Sequence, residues 1–249
     1  MTIDQITNSF PDRVAVIGCG HVGATIAYAL ITQGTAREIV LIDTDRELAV
    51  GEAMDLQHAA ALHRPARIWA GDYGDAASAS IAVVAAGTAT SPGRSRLDLV
   101  DQNVLVVREC VRALIAHGFR GIILMTTNPV DVLAQIAREE SGLPAAQVIG
   151  SGTLLDTARL QSRLGERLLL EPGSVDVFVI GEHGQSEIAA WSAARIGGAP
   201  VGKLFSDPAQ FDPVELLAQV RRAAPEIVER KGYTSFAIAS CVVRICEAI

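Results

Sequence analysis

The 249-residue chain lacks any long uninterrupted apolar segment, although 49% of its residues are hydrophobic and its mean hydropathy is +0.31. No apolar stretch approaches the roughly 20 residues that a membrane-spanning helix needs. The N-terminal sequence MTIDQITNSFPDR is polar and has no hydrophobic core, so we expect no secretory signal. These absences predict a cytoplasmic protein that has no membrane partner.

Basic clusters and paired cysteines are also absent. The formal net charge is −7, and no run of Lys or Arg exceeds two residues, which argues against a nucleic-acid-binding surface. The four cysteines, Cys19, Cys110, Cys241 and Cys246, form neither a CxxC pair nor a Cys/His ligand cluster. This usage is typical of a reducing compartment, and we predict no structural zinc and no other bound metal.

The first part of the chain alternates short apolar runs with helical patterns. We predict strands at 13–18, 38–43, 67–71, 80–87, 121–129 and 147–150, with helices between most of them. A Pro/Gly-containing loop, 88–95, follows the fourth run. Alternation of this kind predicts an α/β fold with a Rossmann-type doubly wound parallel sheet over 12–150, which binds ligands at the carboxyl ends of its strands.

The pattern changes beyond residue 150. A helical segment around TLLDTARLQSRLG precedes the apolar run SVDVFVIGEHG, then EIAAWSAAR as a helix or turn, then strand and loop, and then a long helical region from residue 213 to the end. Neither an internal repeat nor a low-complexity linker separates the halves. We predict that 151–249 forms a second domain of α+β type, packed as a lobe and not tethered.

Three glycines, Gly18, Gly20 and Gly23, follow the first predicted strand and open a helix. Glycines at this spacing permit a tight turn and bring a pyrophosphate close to the helix N-terminus, whose free N–H groups and dipole favour anions. Asp43 ends the next strand, where its carboxylate would accept hydrogen bonds from ribose hydroxyls and repel a 2′-phosphate. The pattern predicts NAD in preference to NADP. The alternative is a tight strand–helix turn that binds no ligand.

Asp156 and Arg159 lie three residues apart on one face of a predicted helix. One interpretation is a surface ion pair, worth under about 1 kcal/mol. The other assigns the residues separate functions, with Asp156 orienting the imidazole of His183 and Arg159 binding a substrate carboxylate through its planar fork. His183 lies between two glycines in IGEHG, and by itself it is more typical of a turn residue than of a catalyst.

The motifs GCGHVG, AAGTATSPGRSRLDLVDQN, TTNPVD, GSGTLLDTARLQ, IGEHGQSE and ERKGYTSFAIA occur together with Asp43. In order and spacing they resemble the L-lactate dehydrogenase family of the lactate/malate dehydrogenase superfamily, which includes the L-2-hydroxyisocaproate dehydrogenases. The resemblance extends over essentially the whole chain. It implies an NAD-dependent L-2-hydroxyacid dehydrogenase that interconverts a 2-keto acid and its 2-hydroxy acid, as a homotetramer or dimer.

The same resemblance implies four charged residues in the catalytic site. His183 matches the catalytic acid/base, Asp156 its orienting carboxylate and Arg159 the anchor of the substrate carboxylate. Arg96, at the end of the Pro/Gly loop, matches the arginine of a mobile lid that polarises the substrate carbonyl. Hydride addition builds negative charge on the carbonyl oxygen, which Arg96 and a cationic His183 can stabilise. Without the resemblance, Arg96 is better explained as a solvated loop charge.

Further residues are implied around the substrate and the nicotinamide. Asn128 matches an asparagine that binds the carbonyl oxygen and places the nicotinamide, although Asn before Pro129 is also a common start to a turn. Thr234 matches a threonine beside the substrate, and Ile238 an apolar residue against the nicotinamide ring. The implied cofactor-binding set is Gly18, Gly20, Val22, Gly23, Asp43, Gly87, Asn128 and Ile238.

Position 90 departs from the family pattern. Lactate dehydrogenases usually carry glutamine there and malate dehydrogenases arginine, whereas this chain has Thr90. The absence of a cation at position 90 argues against oxaloacetate, although Arg94 in the same loop offers a replacement charge. A small Thr90 also leaves more room beside the substrate side chain. From the resemblance we expect pyruvate and L-lactate as the substrates. The space beside Thr90 makes larger 2-keto acids, such as 2-ketoisocaproate, the alternative.

Two other departures concern regulation and the end of the chain. Members activated by fructose 1,6-bisphosphate carry an arginine and a histidine where this chain has Gln161 and Asp176, so we expect no such activation. Family chains continue past the position of Ile249. We therefore expect an incomplete substrate domain with exposed apolar surface, and a catalytically inactive NAD-binding protein is the alternative to an enzyme.

Overall fold

The computed structural model describes residues 12–88, 96–205 and 211–249. The chain forms two compact units. The first comprises the chain up to Ser151 together with Ser235–Ile249, and the second comprises Gly152–Thr234. The division after residue 151 lies one residue from the predicted boundary, but the last fifteen residues pack with the first unit and not with the predicted second domain.

The first unit contains a six-stranded parallel sheet in the order β3-β2-β1-β4-β5-β6. This order reverses direction between β1 and β4, which confirms the predicted doubly wound sheet. Its strands are β1 (Arg13–Ile17), β2 (Glu38–Ile42), β3 (Arg67–Ala70), β4 (Ile81–Val84), β5 (Ile122–Met125) and β6 (Val148–Gly150).

Within the described residues, five α-helices connect these strands. The first ends where the sequence predicted, because Gly34 adopts a left-handed φ of 67° and its N–H bonds to the carbonyl of Ile31. The helices are α1 (His21–Gln33), α2 (Arg46–Ala60), α3 (Tyr73–Ala76), α4 (Arg96–Ala116) and α5 (Val130–Ser141).

Strand β1 shows why its residues after Arg13 are all apolar. Val14 and Val16 belong to one hydrophobic cluster, whereas Ala15 and Ile17 belong to another. Because alternate side chains point to opposite faces and helices cover both, the strand has no polar face. The carboxyl end of β1, where the glycine-containing loop begins, therefore lies between two hydrophobic clusters.

The second unit is built around two long helices and short antiparallel strands. Its core contains Leu160 and Leu164 from the first helix, Val175, Val177 and Val179, and Leu216 and Val220 from the second. The elements are α6 (Leu154–Leu168), β7 (Val175–Asp176), β8 (Val179–Ile180), β9 (Ile188–Ala189), β10 (Arg195–Ile196), β11 (Ala199–Pro200) and α7 (Pro213–Lys231). Strands β8 and β9 pair with each other, and β10 lies between β11 and β7.

Two segments beyond residue 150 differ in detail from the forms that the sequence predicts, a helix or turn for EIAAWSAAR and one long helical region from residue 213. EIAAWSAAR contains β9 and a turn, and no helix. The helical region from residue 213 is two helices, because Gly232 adopts a φ of 89° and ends α7. The following helix α8 (Phe236–Ala248) packs against α1, with Val242 and Cys246 buried in the first unit.

Large apolar side chains are exposed beside β8 and β9. Phe178, Ile180 and Ile188 are 52%, 46% and 56% exposed, respectively. Among the residues described, no helix combines the length and apolar character needed to cross a bilayer.

Candidate active site

Gly18 and Gly23 are required by the close packing of the turn after β1. Gly18 has a φ of 93°, and a Cβ there would lie 2.5 Å from the backbone nitrogen of Ala86. A Cβ on Gly23 would collide with the carbonyl oxygen of Gly18. The turn can therefore form only with glycine at both positions, whether or not a ligand binds.

Gly20 differs because no described atom lies within 4 Å of the position that its Cβ would occupy. It is the N-cap residue of α1, where no side chain in the described structure caps the helix. The first turn of α1, which includes Val22, also contains no acidic residue. Backbone N–H groups at a helix N-terminus without a competing carboxylate bind anions well, so the turn fits a dinucleotide pyrophosphate.

Asp43 lies directly after β2 and contacts the glycine turn. Its Oδ2 accepts a hydrogen bond from the backbone N–H of Cys19 at 2.6 Å, and its Oδ1 accepts one from the N–H of Asp45 at 2.9 Å. These two bonds orient the carboxylate at the edge of the turn. A carboxylate held there can accept hydrogen bonds from ribose hydroxyls, and its charge disfavours a phosphate on the ribose.

The buried Asn103 joins Gly87 and Asn128 at the ends of β4 and β5. Its amide donates to the carbonyl of Asn128 at 2.9 Å, and its Oδ1 accepts from the N–H of Thr88 at 2.8 Å. A Cβ on Gly87 would meet Thr127 and Asn103. The sequence interpretation missed Asn103, although a polar residue on the buried face of helix α4 was a usable signal. Asn103 thus holds the backbone of Asn128 in place. The peptide bond between Asn128 and Pro129 is cis.

In the second unit, threonines attach helix α6 to the strand before His183. Thr153 Oγ1 donates to the carbonyl of Val179 at 2.7 Å, and Thr157 Oγ1 accepts from the N–H of Val179 at 2.9 Å. Gly181 and Gly184 then adopt φ values of 93° and 145°. Because other residues rarely adopt these angles, the IGEHG sequence permits the reversal that returns His183 toward α6.

His183, Asp156 and Arg159 form one hydrogen-bonded group. His183 Nδ1 lies 2.6 Å from Oδ2 of Asp156, and Arg159 Nη1 lies 2.8 Å from Oδ1 of the same carboxylate. The side chain of Asp156 is 2% exposed, compared with 25% for His183. The ion pair between Asp156 and Arg159 is therefore buried, unlike the exposed pair of the alternative interpretation. Since a carboxylate can only accept, Nδ1 carries the hydrogen.

The contacts of Asp156 shift the acid–base properties of the group. The hydrogen bond from His183 to Asp156, together with the negative charge of Asp156, raises the pKa of His183 despite burial. Burial opposes ionisation of Asp156, but the hydrogen bond and charge of His183 and the charge of Arg159 outweigh it and lower the pKa of Asp156. The favoured state is an imidazolium beside a carboxylate, which is suited to donating a proton.

Glu187 and Arg221 lie beside this group, and the sequence interpretation did not select either. Glu187 is 1% exposed and precedes β9. Arg221, on α7, donates through Nη2 to the backbone carbonyl of Glu187. A glutamate four residues after His183 gave no periodic or spacing signal, because only folding buries it beside Asp156.

The remaining predicted residues lie elsewhere in the chain. Thr90 and Arg94 are outside the described residues, and Arg96 begins α4 with a side chain that is likewise outside them. Thr234 is half-buried and ends the second unit, and Ile238 is half-buried on the first turn of α8.

Family models match both parts of the chain. Residues 12–150 match the lactate/malate dehydrogenase NAD-binding domain, and residues 153–249 match the alpha/beta C-terminal domain of the same proteins. The second match continues through helix α8, so the family's linear division and the two compact units differ for the last fifteen residues.

Curated relatives and solved structures are similar over nearly all of the chain. L-lactate dehydrogenases from Bacillus caldolyticus and Geobacillus kaustophilus are each 46% identical over 246 residues, which is 97% of this chain and 78% of each relative. The ligand-bound minor L-lactate dehydrogenase from Enterococcus mundtii superimposes with a TM-score of 0.92 at 39% identity, covering 97% of this chain and 78% of that one.

Proposed function

The chain belongs to the lactate/malate dehydrogenase family, and from this premise we propose that it reduces pyruvate to L-lactate and catalyses the reverse oxidation. It is an NAD-dependent oxidoreductase of the L-lactate dehydrogenase type. The observation that carries the proposal is the imidazole of His183 held at 2.6 Å by the buried Asp156, with Arg159 on the other oxygen of that carboxylate.

The first unit supplies the cofactor contacts. The N–H groups at the start of α1 would bind the pyrophosphate over the open side of Gly20, and Asp43 would bind the ribose. Bound as NADH, the cofactor supplies the hydride. Asn128, held by Asn103, would place the nicotinamide and bind the substrate carbonyl oxygen, while Ile238 would pack against the ring.

The second unit supplies the proton and the substrate anchor. In the reduction, the imidazolium of His183 donates a proton from Nε2 to the carbonyl oxygen as negative charge develops there. Asp156 fixes the ring orientation and stabilises the cation that precedes transfer. Arg159 binds the substrate carboxylate through its fork, with Thr234 beside it. Arg96 would polarise the carbonyl from the lid, and Thr90 would face the substrate side chain.

Assembly, location and regulation form further parts of the proposal. We propose a cytoplasmic homo-oligomer, a tetramer or dimer. We also propose that fructose 1,6-bisphosphate does not activate it, because neither Gln161 nor Asp176 offers a cation; the amide of Gln161 donates to the carbonyl of Val175 at 2.9 Å. Size-exclusion chromatography with light scattering tests the assembly, and an unchanged KM on addition of the bisphosphate is expected.

The deciding experiment is a substrate panel followed by the disappearance of NADH absorbance. Pyruvate, 2-ketoisocaproate and oxaloacetate are compared with NADH and with NADPH. We expect the highest kcat/KM for pyruvate with NADH. A higher value for 2-ketoisocaproate would assign the enzyme to the larger 2-keto acids. NADH binding without turnover of any keto acid would contradict the proposal and leave a dinucleotide-binding protein.

A further inference from the structure

A second buried carboxyl lies beside the His183–Asp156 pair. Glu187 is 1% exposed. One carboxylate oxygen of Glu187, one of Asp156 and a ring nitrogen of His183 all lie within 4.8 Å of one another. The proposed proton transfer uses His183 and Asp156 and leaves this third group without a function. Burying a carboxyl costs free energy, so its presence beside the reacting pair requires an explanation.

Arg221 contacts Glu187 without forming a close ion pair. Its Nη2 donates to the backbone carbonyl of Glu187, while its Nε lies 3.9 Å from Oε1 of the Glu187 side chain. Within the described part of the chain, neither the buried Nε of Arg221 nor the buried Oε1 of Glu187 has a hydrogen-bond partner. A buried carboxylate anion favours short, direct hydrogen bonds with a guanidinium. The open geometry is therefore typical of a neutral carboxyl.

Burial and the negative charge of Asp156 favour the same protonation state for Glu187, and they outweigh the positive charge of His183. Asp156 faces Glu187 from α6, His183 from the preceding loop and Arg221 from α7, while Arg159 pairs with the other oxygen of Asp156. Burial, followed by the negative charge of Asp156 and a hydrogen bond with Asp156, raises the pKa of Glu187 to about 7. The pKa of Asp156 is lowered. When two carboxyls share one proton, it resides on the one with the higher pKa.

We propose that Glu187 is a positioning residue of the hydride-transfer site, where its protonated carboxyl donates a hydrogen bond to Asp156 and keeps that carboxylate aligned with His183. The inference rests on the proposed function, because His183 and Asp156 are the pair that Glu187 serves. As the pH rises, Glu187 loses its proton and becomes a second negative charge near the imidazolium. That charge raises the pKa of His183 and so retains the proton on His183 to higher pH.

Glu187→Gln separates hydrogen-bond donation from ionisation, since the amide donates but never becomes charged. We expect this variant to reduce pyruvate below neutral pH with a kcat within about twofold of the unmodified protein. Its rate should then decline at lower pH, because the added negative charge is missing. Glu187→Leu removes the donor, and we expect its kcat to fall about 10-fold, the effect of losing a hydrogen bond to a charged group. Glu182→Gln, an exposed change in the same loop, is the matched control and should alter neither quantity.

Direct titration of His183 by NMR makes the test independent of turnover. We expect the pKa of His183 to be lower in Glu187→Gln than in the unmodified protein, and NADH binding to be equal in both. Absence of turnover in the unmodified protein would contradict the proposed function, whereas an unchanged pKa of His183 would contradict the role of Glu187.

Two further outcomes would overturn the positioning role. A kcat that falls as far in Glu187→Gln as in Glu187→Leu would show that donation to Asp156 is not what matters. A pH profile that changes on addition of EDTA would assign the cluster to a bound cation. If Glu187→Leu does not fold, the glutamine variant decides the question alone.

Discussion

The glycine turn of the first unit and the His183 group of the second unit are built from different kinds of interaction. At the turn, Gly18 and Gly23 are required because backbone atoms occupy the space of a side chain, and Gly20 leaves its own space open. At the His183 group, one buried carboxylate, Asp156, holds two cationic side chains at 2.6 and 2.8 Å. Backbone conformation forms the first site, and buried charge forms the second.

This difference predicts that substitutions at the glycine turn and at the His183 group impair different properties of the protein. A side chain added at the turn changes packing or blocks a ligand, but it leaves the protonation states of the second unit unaltered. A change at the His183 group alters charge and proton affinity, and it leaves dinucleotide binding unaltered. Measuring NADH binding and keto-acid turnover separately for each variant therefore tests the comparison.

The largest effect is expected for His183→Gln, which removes the proposed proton donor. Positioned general acids contribute about 10²- to 10⁴-fold to a rate, and kcat for pyruvate reduction should fall by that factor. The dissociation constant of NADH, measured by fluorescence, should remain within about twofold because the glycine turn is untouched. Near-normal turnover would remove His183 from the mechanism.

The next effect is expected for Arg159→Lys, because an ammonium cannot form two parallel hydrogen bonds with a carboxylate. We expect the KM for pyruvate to rise by about 10²-fold, equivalent to losing a charged hydrogen bond. Arg163→Lys, an exposed change on the same helix, is the control and should leave the KM unaltered. An unchanged KM in Arg159→Lys would exclude the anchoring role.

Asp156→Asn should lower kcat by about 10- to 100-fold, since the charged partner of His183 is lost. It should also change the pH dependence in a defined direction. Reduction requires the imidazolium, so its rate declines as pH rises through the pKa of His183, which Asp156 raises. Removing the carboxylate lowers that pKa, and the decline should move to lower pH. Rate profiles over pH in both reaction directions check this, and a shift to higher pH would contradict it.

The smallest effect is expected for Gly20→Ala, whose methyl group enters open space at the start of α1. We expect the melting temperature to remain unchanged and the dissociation constant of NADH to rise about 10-fold, which equals about 1.4 kcal/mol. Gly23→Ala is the contrasting variant, because its methyl group would collide with the Gly18 carbonyl and lower the melting temperature. Equal loss of stability in both variants would show that Gly20 is structural and not reserved for a ligand.

Most of the first unit was predictable from the sequence because its signals are local. Apolar runs at 13–18 and 38–43, glycines at a set spacing and Asp43 after a strand all report interactions between residues that are close in the chain. The same local signals predicted the end of α1 at Gly34. They did not predict that α8 packs against α1, because an amphipathic helix does not specify which surface covers its apolar face.

The His183 group was predictable only in outline. The IGEHG reversal and the Asp156–Arg159 spacing are visible in the sequence, and resemblance to a family was needed to connect them. Whether Asp156 would be buried, and which carboxyl would lie beside it, depended on the packing of α6, β8 and α7. Local patterns specify backbone conformation because its determinants lie within a few residues. The electrostatics of Asp156 and Glu187 arise only after folding, because burial and the approach of charges distant in the chain set their proton affinities.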